Sequence, residues 1–458
     1  MKHAPLLLML AFAALPLRAA ADPVDAYLQR MMAQSHIPGT AVAVVRDGKV
    51  ELLRGYGDAN LEWPAAVTPD TSFQLASATK IFTGIALMRL VEQKKLALDD
   101  TLDRFFPDAP AEWRQIRVRQ LANHTSGLAD RLPEHPDTVA DTVAAAMKTP
   151  LAYRPGTESR YGFTDFIVLR AVMEKVAGKP LPQIFEEEIA RPLGLKATRF
   201  NFERQAGRIR SSVPLPGRAV VHAWDKGEQR ISGFLYGETG YAAGGLFSSA
   251  RDLATLFAAL DQGKLLSRES LLALETPPKL PDGTPGGFGV GWTSRIYHGV
   301  HIVGHSGGPA LADIVRAEDR HLTIIVLTNQ QRFYPLLAEG VADFYLPPAP
   351  AVAPIADAAP ELTARIRMVL ADAAAGRIDP LHFGEQGKRD IVPFLSDFGQ
   401  VLLETVGPVT AIDLIEDTGT GAARSRRYAI RFRDKQMFWQ VRSDAEGRLD
   451  DLHPVSEG

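Results

Sequence analysis

The sequence predicts an α+β protein of two domains, and three observations carry that reading. The 458 residues, 46% hydrophobic and 23% charged, have the balance of a folded globular chain and exceed what one core usually holds. Up to Leu346, β-branched apolar runs bracketed by turn signals alternate with helix-like stretches. Finally, Pro347-Pro348-Ala349-Pro350 opens an Ala/Pro-rich stretch reaching Pro360. Proline lacks a backbone N–H and fixes φ, so residues 347–360 read as a stiff, extended linker. The linker divides a main domain, 22–346, from a small α+β accessory domain, 361–458.

Ahead of both, Lys2 and His3 precede an apolar stretch from Pro5 to Leu17 that is too short to span a bilayer. Ala19-Ala20-Ala21 follows with small residues, so residues 1–21 are expected to be a secretory signal peptide cleaved after Ala21. The expected location is periplasmic or secreted, without a stable membrane anchor. Losing Lys2 and Arg18 would take the formal charge from -3 to -5. That balance offers no basic field for nucleic acid. Zero cysteines exclude disulfides, thiolate metal sites and a cysteine nucleophile. Chemistry must therefore use hydroxyls, amines, imidazoles or carboxylates.

Thr40 to Val45 and Val50 to Leu53 flank Asp47-Gly48, a hairpin signal. Ile81 to Val91 is apolar on nearly every face, as a helix buried all round must be. Phe166 to Val176 has a helical pattern, and Arg251 to Leu260 is amphipathic. His301 to Val303 and His321 to Leu327 read as strands. In the accessory domain, Leu362 to Ala373 and Ile391 to Val406 look helical. Ala411 to Glu416, Arg427 to Phe432 and Met437 to Arg442 look extended. Pro133 to Ala144 and Asn201 to Gln229 are expected to be loops that set specificity.

Ser77-Ala78-Thr79-Lys80 opens the buried helix. Residues three apart share a helix face, which brings the lysine amine towards the serine hydroxyl. A desolvated lysine loses basicity and can act as the base that a weakly nucleophilic hydroxyl needs. Tyr161 follows the Pro155-Gly156 turn, where a phenol can relay a proton, although most such tyrosines only pack. Gly304-His305-Ser306-Gly307-Gly308 follows a strand, and its glycines allow backbone to approach a substrate closely. These five residues also fit a Gly-x-Ser-x-Gly nucleophile elbow. The elbow needs a helix next, whereas Pro309 intervenes and a strand returns at His321. His124 and Ser126, in His124-Thr125-Ser126-Gly127, read as groups that cap and tether a loop, and Gly244-Gly245 as a backbone requirement.

Taken in order, Ser77-Ala78-Thr79-Lys80, Tyr161 after Pro-Gly-Thr, and His305-Ser306-Gly307 resemble the serine β-lactamase and penicillin-binding-protein superfamily, nearest its class C-like branch. Ile37-Pro38-Gly39, Gly55-Tyr56-Gly57, Pro192-Leu193-Gly194-Leu195 and Gly244-Gly245-Leu246 support the resemblance, which covers about Asp22 to Tyr345. It implies a two-lobed fold, an antiparallel sheet flanked by helices beside an all-helical lobe. It further implies that Ser77 is acylated, Lys80 is its base and Tyr161 assists. The N–H groups of Ser77 and Gly308 would form an oxyanion hole. His305, Ser306, Gly307 and Phe163 would line the substrate site. No metal or organic cofactor is implied. Phe163 stands where the pattern places an asparagine, which would leave the lysine short of a polar partner. His305 stands as a weak carboxylate anchor. Both favour an esterase-like or peptidase-like hydrolase acting on a small ester, amide or peptide. The alternatives are β-lactamase or DD-peptidase activity, or a catalytically decayed module that binds peptidoglycan.

Overall fold

The computed structural model describes residues 22–130, 132, 137–202, 204–206, 209–233, 236–308, 311–331, 336–421, 424–433 and 435–457. The expected leader, Pro133 and Pro309 lie outside these residues.

Helix α1 (Pro23–Gln34) starts where the Asp22 side chain accepts the Val24 N–H at 3.0 Å. Strands β1 (Gly39–Arg46) and β2 (Lys49–Asn60) form the expected hairpin. Asp47 and Gly48 turn it with φ of 49° and 67°, the left-handed pair that such a tight turn requires. A short strand β3 (Ala65–Ala66) leads through a loop to helix α2 (Thr79–Glu92), buried on nearly all sides as expected. Helices α3 (Val139–Lys148), α4 (Phe163–Ala177), α5 (Tyr241–Gly244) and α6 (Ala250–Asp261) follow. Then come β4 (Thr293–Tyr297), β5 (Val300–Gly307), β6 (Ala312–Ala317), β7 (Leu322–Thr328) and α7 (Leu337–Ala342).

These strands make a seven-stranded sheet in the order β4-β5-β6-β7-β1-β2-β3. The first and last strands of the chain's main run, β1 and β7, pair antiparallel at its centre. Alternation explains why: Ala41, Ala43, Val45, Ile325 and Leu327 face one core with α2 and α6, while Val42, Val44, Ile324 and Val326 face a second with α1 and α7. Strands covered on both faces carry continuous apolar runs, which is what the sequence shows. The helices between α2 and α5 build the second lobe on the first core.

The C-terminal part has its own core: helices α8 (Pro360–Ala374), α9 (Glu385–Phe394) and α10 (Gln400–Val406) pack on a sheet of β8 (Val409–Thr418), β9 (Ser425–Phe432), β10 (Gln436–Ser443) and β11 (Leu449–Val455). It closes over edge strand β4: Ile296 N–H donates to Ser456 Oγ at 2.6 Å, and Glu457 N–H to Ile296 O at 3.4 Å.

Four expectations need correction. Pro133 to Ala144 is not all loop, because Thr138 caps α3 by accepting the Asp141 N–H at 3.1 Å. Asn201 to Gln229 contains short strands, including His222–Asp225 and its hairpin partner Glu228–Ile231. Ile391 to Val406 is two helices joined by a π turn, Leu395–Gly399, just after the interior Pro393. Pro360 belongs to α8 rather than to extended chain, since the first helical turn needs no proline N–H.

Candidate active site

Ser77 sits on a single 3-10 turn, Ala76–Ala78, immediately before α2. Ala76 holds φ at +45°, a region costly for a residue with a Cβ. The strained turn leaves Ser77 half-buried, with buried residues on both sides. One turn on, Lys80 is 0% exposed. Its Nζ donates to Tyr161 Oη at 2.7 Å and to the Ala243 carbonyl at 2.9 Å. Thr83, another turn along α2, donates to Ala242 O at 2.7 Å. Helix α2 is thus pinned to the carbonyls of α5. Gly244 leaves room beside α5 for the Tyr236 ring, which a Cβ there would meet at 2.3 Å.

The lysine hydrogen-bonds the tyrosine, not the serine. Among the described residues, no hydrogen bond joins Lys80 to Ser77. The Ser77 hydroxyl instead acts on the phenols of Tyr161 and Tyr236, drawing the pKa of each down against the effect of burial. The expected direct Ser77–Lys80 pair is therefore a chain, Ser77–Tyr161–Lys80. Spacing on a helix brings the two residues to one face, but the amine spends its hydrogen bonds on Tyr161 and Ala243.

Burial pulls the Lys80 amine down to a pKa of about 7, with Asp130 the leading charge that opposes it. Tyr161 is 46% exposed as a residue. Its hydroxyl end is nonetheless crowded, and the lost hydration holds it above the usual phenol range despite the Ser77 bond. Three rings surround the amine, with centroids at 4.7 Å for Tyr161, 5.1 Å for Phe166 and 5.9 Å for Phe163. Phe163 does not leave the lysine without a polar partner, because Ala243 O and Tyr161 supply two. Its ring also stacks on Tyr236, 6.0 Å away and 14° from parallel.

Strand β5 carries His305, Ser306 and Gly307 to the same place. The His305 ring lies 5.9 Å from the Tyr161 ring. A Cβ on Gly307 would meet Leu75 O at 2.0 Å, so only glycine lets β5 lie against the strained Ser77 turn. The β5–β6 ladder ends at Gly307↔Ala312, which leaves Gly308 outside it, with open space where a Cβ would stand. An elbow at Ser306 is excluded: Ser306 is in mid-strand, paired with Asp313. Burial depresses the His305 imidazole to a pKa of about 3, aided by Lys80. Its Nδ1 bonds Ser306 O at 2.7 Å, and a carbonyl only accepts, so Nδ1 carries the hydrogen. Nε2 is then a bare acceptor, buried and without a partner among the described residues.

His124 and Ser126 tether a loop as expected: His124 O accepts from Tyr153 Oη at 3.1 Å and from Arg160 N at 2.9 Å, and Ser126 Oγ accepts from Leu128 N at 2.9 Å. Sequence reasoning missed four parts of the site: Asp130, Asp165, Tyr236 and the Ala243 carbonyl. Asp165, four residues beyond Tyr161 at the head of a helix, was open to discovery by helical spacing. Asp130 and Tyr236 come from distant loops and the Ala243 carbonyl from α5, with no local signature.

The sequence pattern of the Beta-lactamase family matches residues 24–342, which hold every residue of the candidate site. The chain belongs to that family. A Putative D-alanyl-D-alanine carboxypeptidase of Escherichia coli (strain K12) is 27% identical over 349 residues, covering 64% of this chain and 78% of that protein. The D-amino acid amidase of Ochrobactrum anthropi SV3, complexed with L-phenylalanine, superposes with a TM-score of 0.57 at 22% identity, covering 69% of this chain and 92% of its own. The octameric penicillin-binding protein homologue of Pyrococcus abyssi gives a TM-score of 0.61 at 22% identity and spans 95% of this chain and 98% of its own, so the likeness extends into the C-terminal part. The β-lactamase fold, with its large antiparallel sheet and helices, is thereby shared. Among the described residues no helix is long and apolar enough to cross a membrane.

Proposed function

We propose that the protein is a secreted serine hydrolase that forms an acyl-enzyme on Ser77 with small esters or amides. The observation that carries this reading is the Ser77–Tyr161–Lys80 chain, which ends on a buried amine with a pKa of about 7. Near neutral pH a large fraction of that amine is neutral and accepts the Tyr161 proton as Tyr161 takes the one on Ser77. Ser77 Oγ then attacks the substrate carbonyl, and the Ser77 and Gly308 N–H groups receive the oxyanion. Collapse expels the leaving group, protonated through Tyr161, and water repeats the sequence to release the acid.

His305 narrows the leaving group. Its imidazole is buried and neutral, so β5 offers no cation there to hold a carboxylate. We therefore place the substrate among esters and amides whose leaving group bears no free carboxylate. This separates the protein from the carboxypeptidase named above, and disfavours DD-peptidase and β-lactamase activity. A decayed, non-catalytic module is disfavoured by the intact proton chain. The test is intact-protein mass spectrometry with p-nitrophenyl butyrate, a D-amino acid amide, a D-alanyl-D-alanine peptide and a fluorophosphonate. The expected result is a covalent adduct on wild type, none on Ser77→Ala, and turnover of the first two substrates. No adduct from any probe would overturn the reading, and preferential turnover of the D-alanyl-D-alanine peptide would overturn the assignment to His305.

A further inference from the structure

Behind Tyr161 lies a buried imidazole–carboxyl pair that the proton chain does not use. His124 is 0% exposed, on a residue turned to φ +59°. Its Nδ1 takes part in two hydrogen bonds, with Asp165 Oδ2 at 2.9 Å and with the Gly162 N–H at 3.3 Å. An amide N–H can only donate, so Nδ1 must present its lone pair. A lone pair facing Oδ2 at that distance requires the proton to sit on the oxygen, since otherwise two lone pairs would oppose each other in a dry interior. Ser126 Oγ donates to the remaining oxygen, Oδ1, and itself accepts from Leu128 N. With His124 as the Nε2–H tautomer and Asp165 as an acid, the Gly162 N–H and the Asp165 hydroxyl share the one lone pair of Nδ1, and Nε2–H has no acceptor among the described residues. The imidazole edge then lies among rings, with Tyr161 and Phe288 centroids at 4.8 Å and Phe166 at 5.2 Å.

We propose that His124 and Asp165 form a neutral clamp, imidazole and un-ionised carboxylic acid, that positions Tyr161 through the Gly162 amide while denying Lys80 a counter-charge. Both are positioning residues, and the proposal rests on the acyl-enzyme reading of the site. Burial favours the neutral form of each, pushing the Asp165 carboxyl well above its ordinary range and the His124 imidazole well below its own.

The other polar groups facing this cluster are consistent with that role. Lys80 approaches from α2, His305 from β5, and the Tyr153, Tyr161 and Tyr236 phenols from their loops, while Arg295 acts on His305 from β4. Asp130 supplies the nearby carboxylate and is committed to the head of α4, where its Oδ1 accepts the Phe163 and Thr164 N–H groups. An ionised Asp165 would add a second negative charge beside the lysine and hold it protonated.

The experiment pairs Asp165→Asn with wild type. The amide reproduces both hydrogen bonds without charge, its NH₂ donating to His124 Nδ1 and its carbonyl accepting from Ser126. The acid limb of the pH profile of kcat/KM for an ester is expected not to move. A downward shift of that limb by about one pH unit would mean that a carboxylate had been removed from beside Lys80, and would overturn the proposal.

Infrared difference spectra between the two proteins provide a readout independent of turnover. They are expected to show the C=O stretch of a protonated carboxyl in wild type at pH 7. A carboxylate band in its place would overturn the proposal. Recording the same band in the Ser77→Ala protein separates failure of the clamp from failure of the acyl-enzyme reading. Should the amide variant not fold, Ser126→Ala assigns the band by raising its frequency, because one hydrogen bond to the carbonyl oxygen is lost. If Ser126→Ala leaves every protonated-carboxyl band unmoved, the proposal is overturned.

Discussion

Two cations in the main domain are equally buried and meet opposite fates. Lys80 is 0% exposed and Arg316 is 1% exposed. Arg316, on β6, is held by Asp261 at 2.5 Å and by Glu275 at 2.8 Å. Burial works against its charge, but those carboxylates outweigh it and hold the guanidinium above its ordinary range. Lys80 has a phenol, a carbonyl and three rings, and its pKa falls to about 7. Desolvation is common to both. What separates a structural cation from a reactive base is whether the fold pays for burial with a carboxylate in contact. Arginine suits the first role because it cannot be deprotonated, and lysine the second because it can.

The largest expected effects come from removing each cation. Lys80→Met should lower kcat/KM for an ester by roughly 10³-fold or more while the thermal midpoint holds or rises, since an uncompensated amine leaves the interior. Arg316→Met should do the reverse: it strands two carboxylates and costs about 3–5 kcal/mol by denaturant unfolding, with activity per folded molecule retained. Similar outcomes for the two variants would remove the distinction.

Next in size is Gly307→Ala. Its Cβ would strike Leu75 O at 2.0 Å and push β5 from the Ser77 turn, so turnover should fall by about 100-fold. Gly308→Ala points into open space, and steady-state kinetics should show a change of only about 3-fold.

The pH dependence sharpens the same contrast. The acid limb of kcat/KM should lie near pH 7, where Lys80 loses its proton. Its folded pKa, about 7, is below the ordinary value of 10.5, so between these the unfolded chain binds more protons. Wild type should therefore gain stability relative to Lys80→Met as pH rises from 7 to 10.5, and the difference should flatten above that window. Arg316 contributes no such slope.

The smallest expected effect is at the exposed pair Arg251–Asp70, where the nitrogen and oxygen are 2.7 Å apart and both side chains are more than half exposed. Arg251→Ala should change the unfolding free energy by less than about 1 kcal/mol. A larger loss would show that proximity alone, without burial, decides an ion pair's worth in this protein.

Much of the fold was legible because its signals are local. The Asp47-Gly48 hairpin, the all-round apolar α2 and the continuous runs of β1 and β7 each follow from side-chain period and turn chemistry. β11 escaped notice because its alternation, Leu449-Asp450-Asp451-Leu452-His453-Pro454-Val455, is broken by adjacent acids and a proline that sheet pairing tolerates at an edge. In the site, Ser77, Lys80, Tyr161, His305 and Gly307 were visible as motifs, whereas Tyr236 and Ala243 O were not. A phenol from a distant loop and a backbone carbonyl carry no pattern of their own.

The amino-acid order alone determined which groups are available for chemistry here: a hydroxyl and an amine three residues apart, a phenol, imidazoles and no thiol. It also determined that a helix too apolar to face water would carry the amine inward. Tertiary structure decided the rest: that Lys80 bonds Tyr161 rather than Ser77, that carboxylates close on Arg316 but not on Lys80, and that His305 is neutral. The physical reason is that proton affinity and hydrogen-bond direction depend on what surrounds an atom in space, and those neighbours come from segments far apart along the chain.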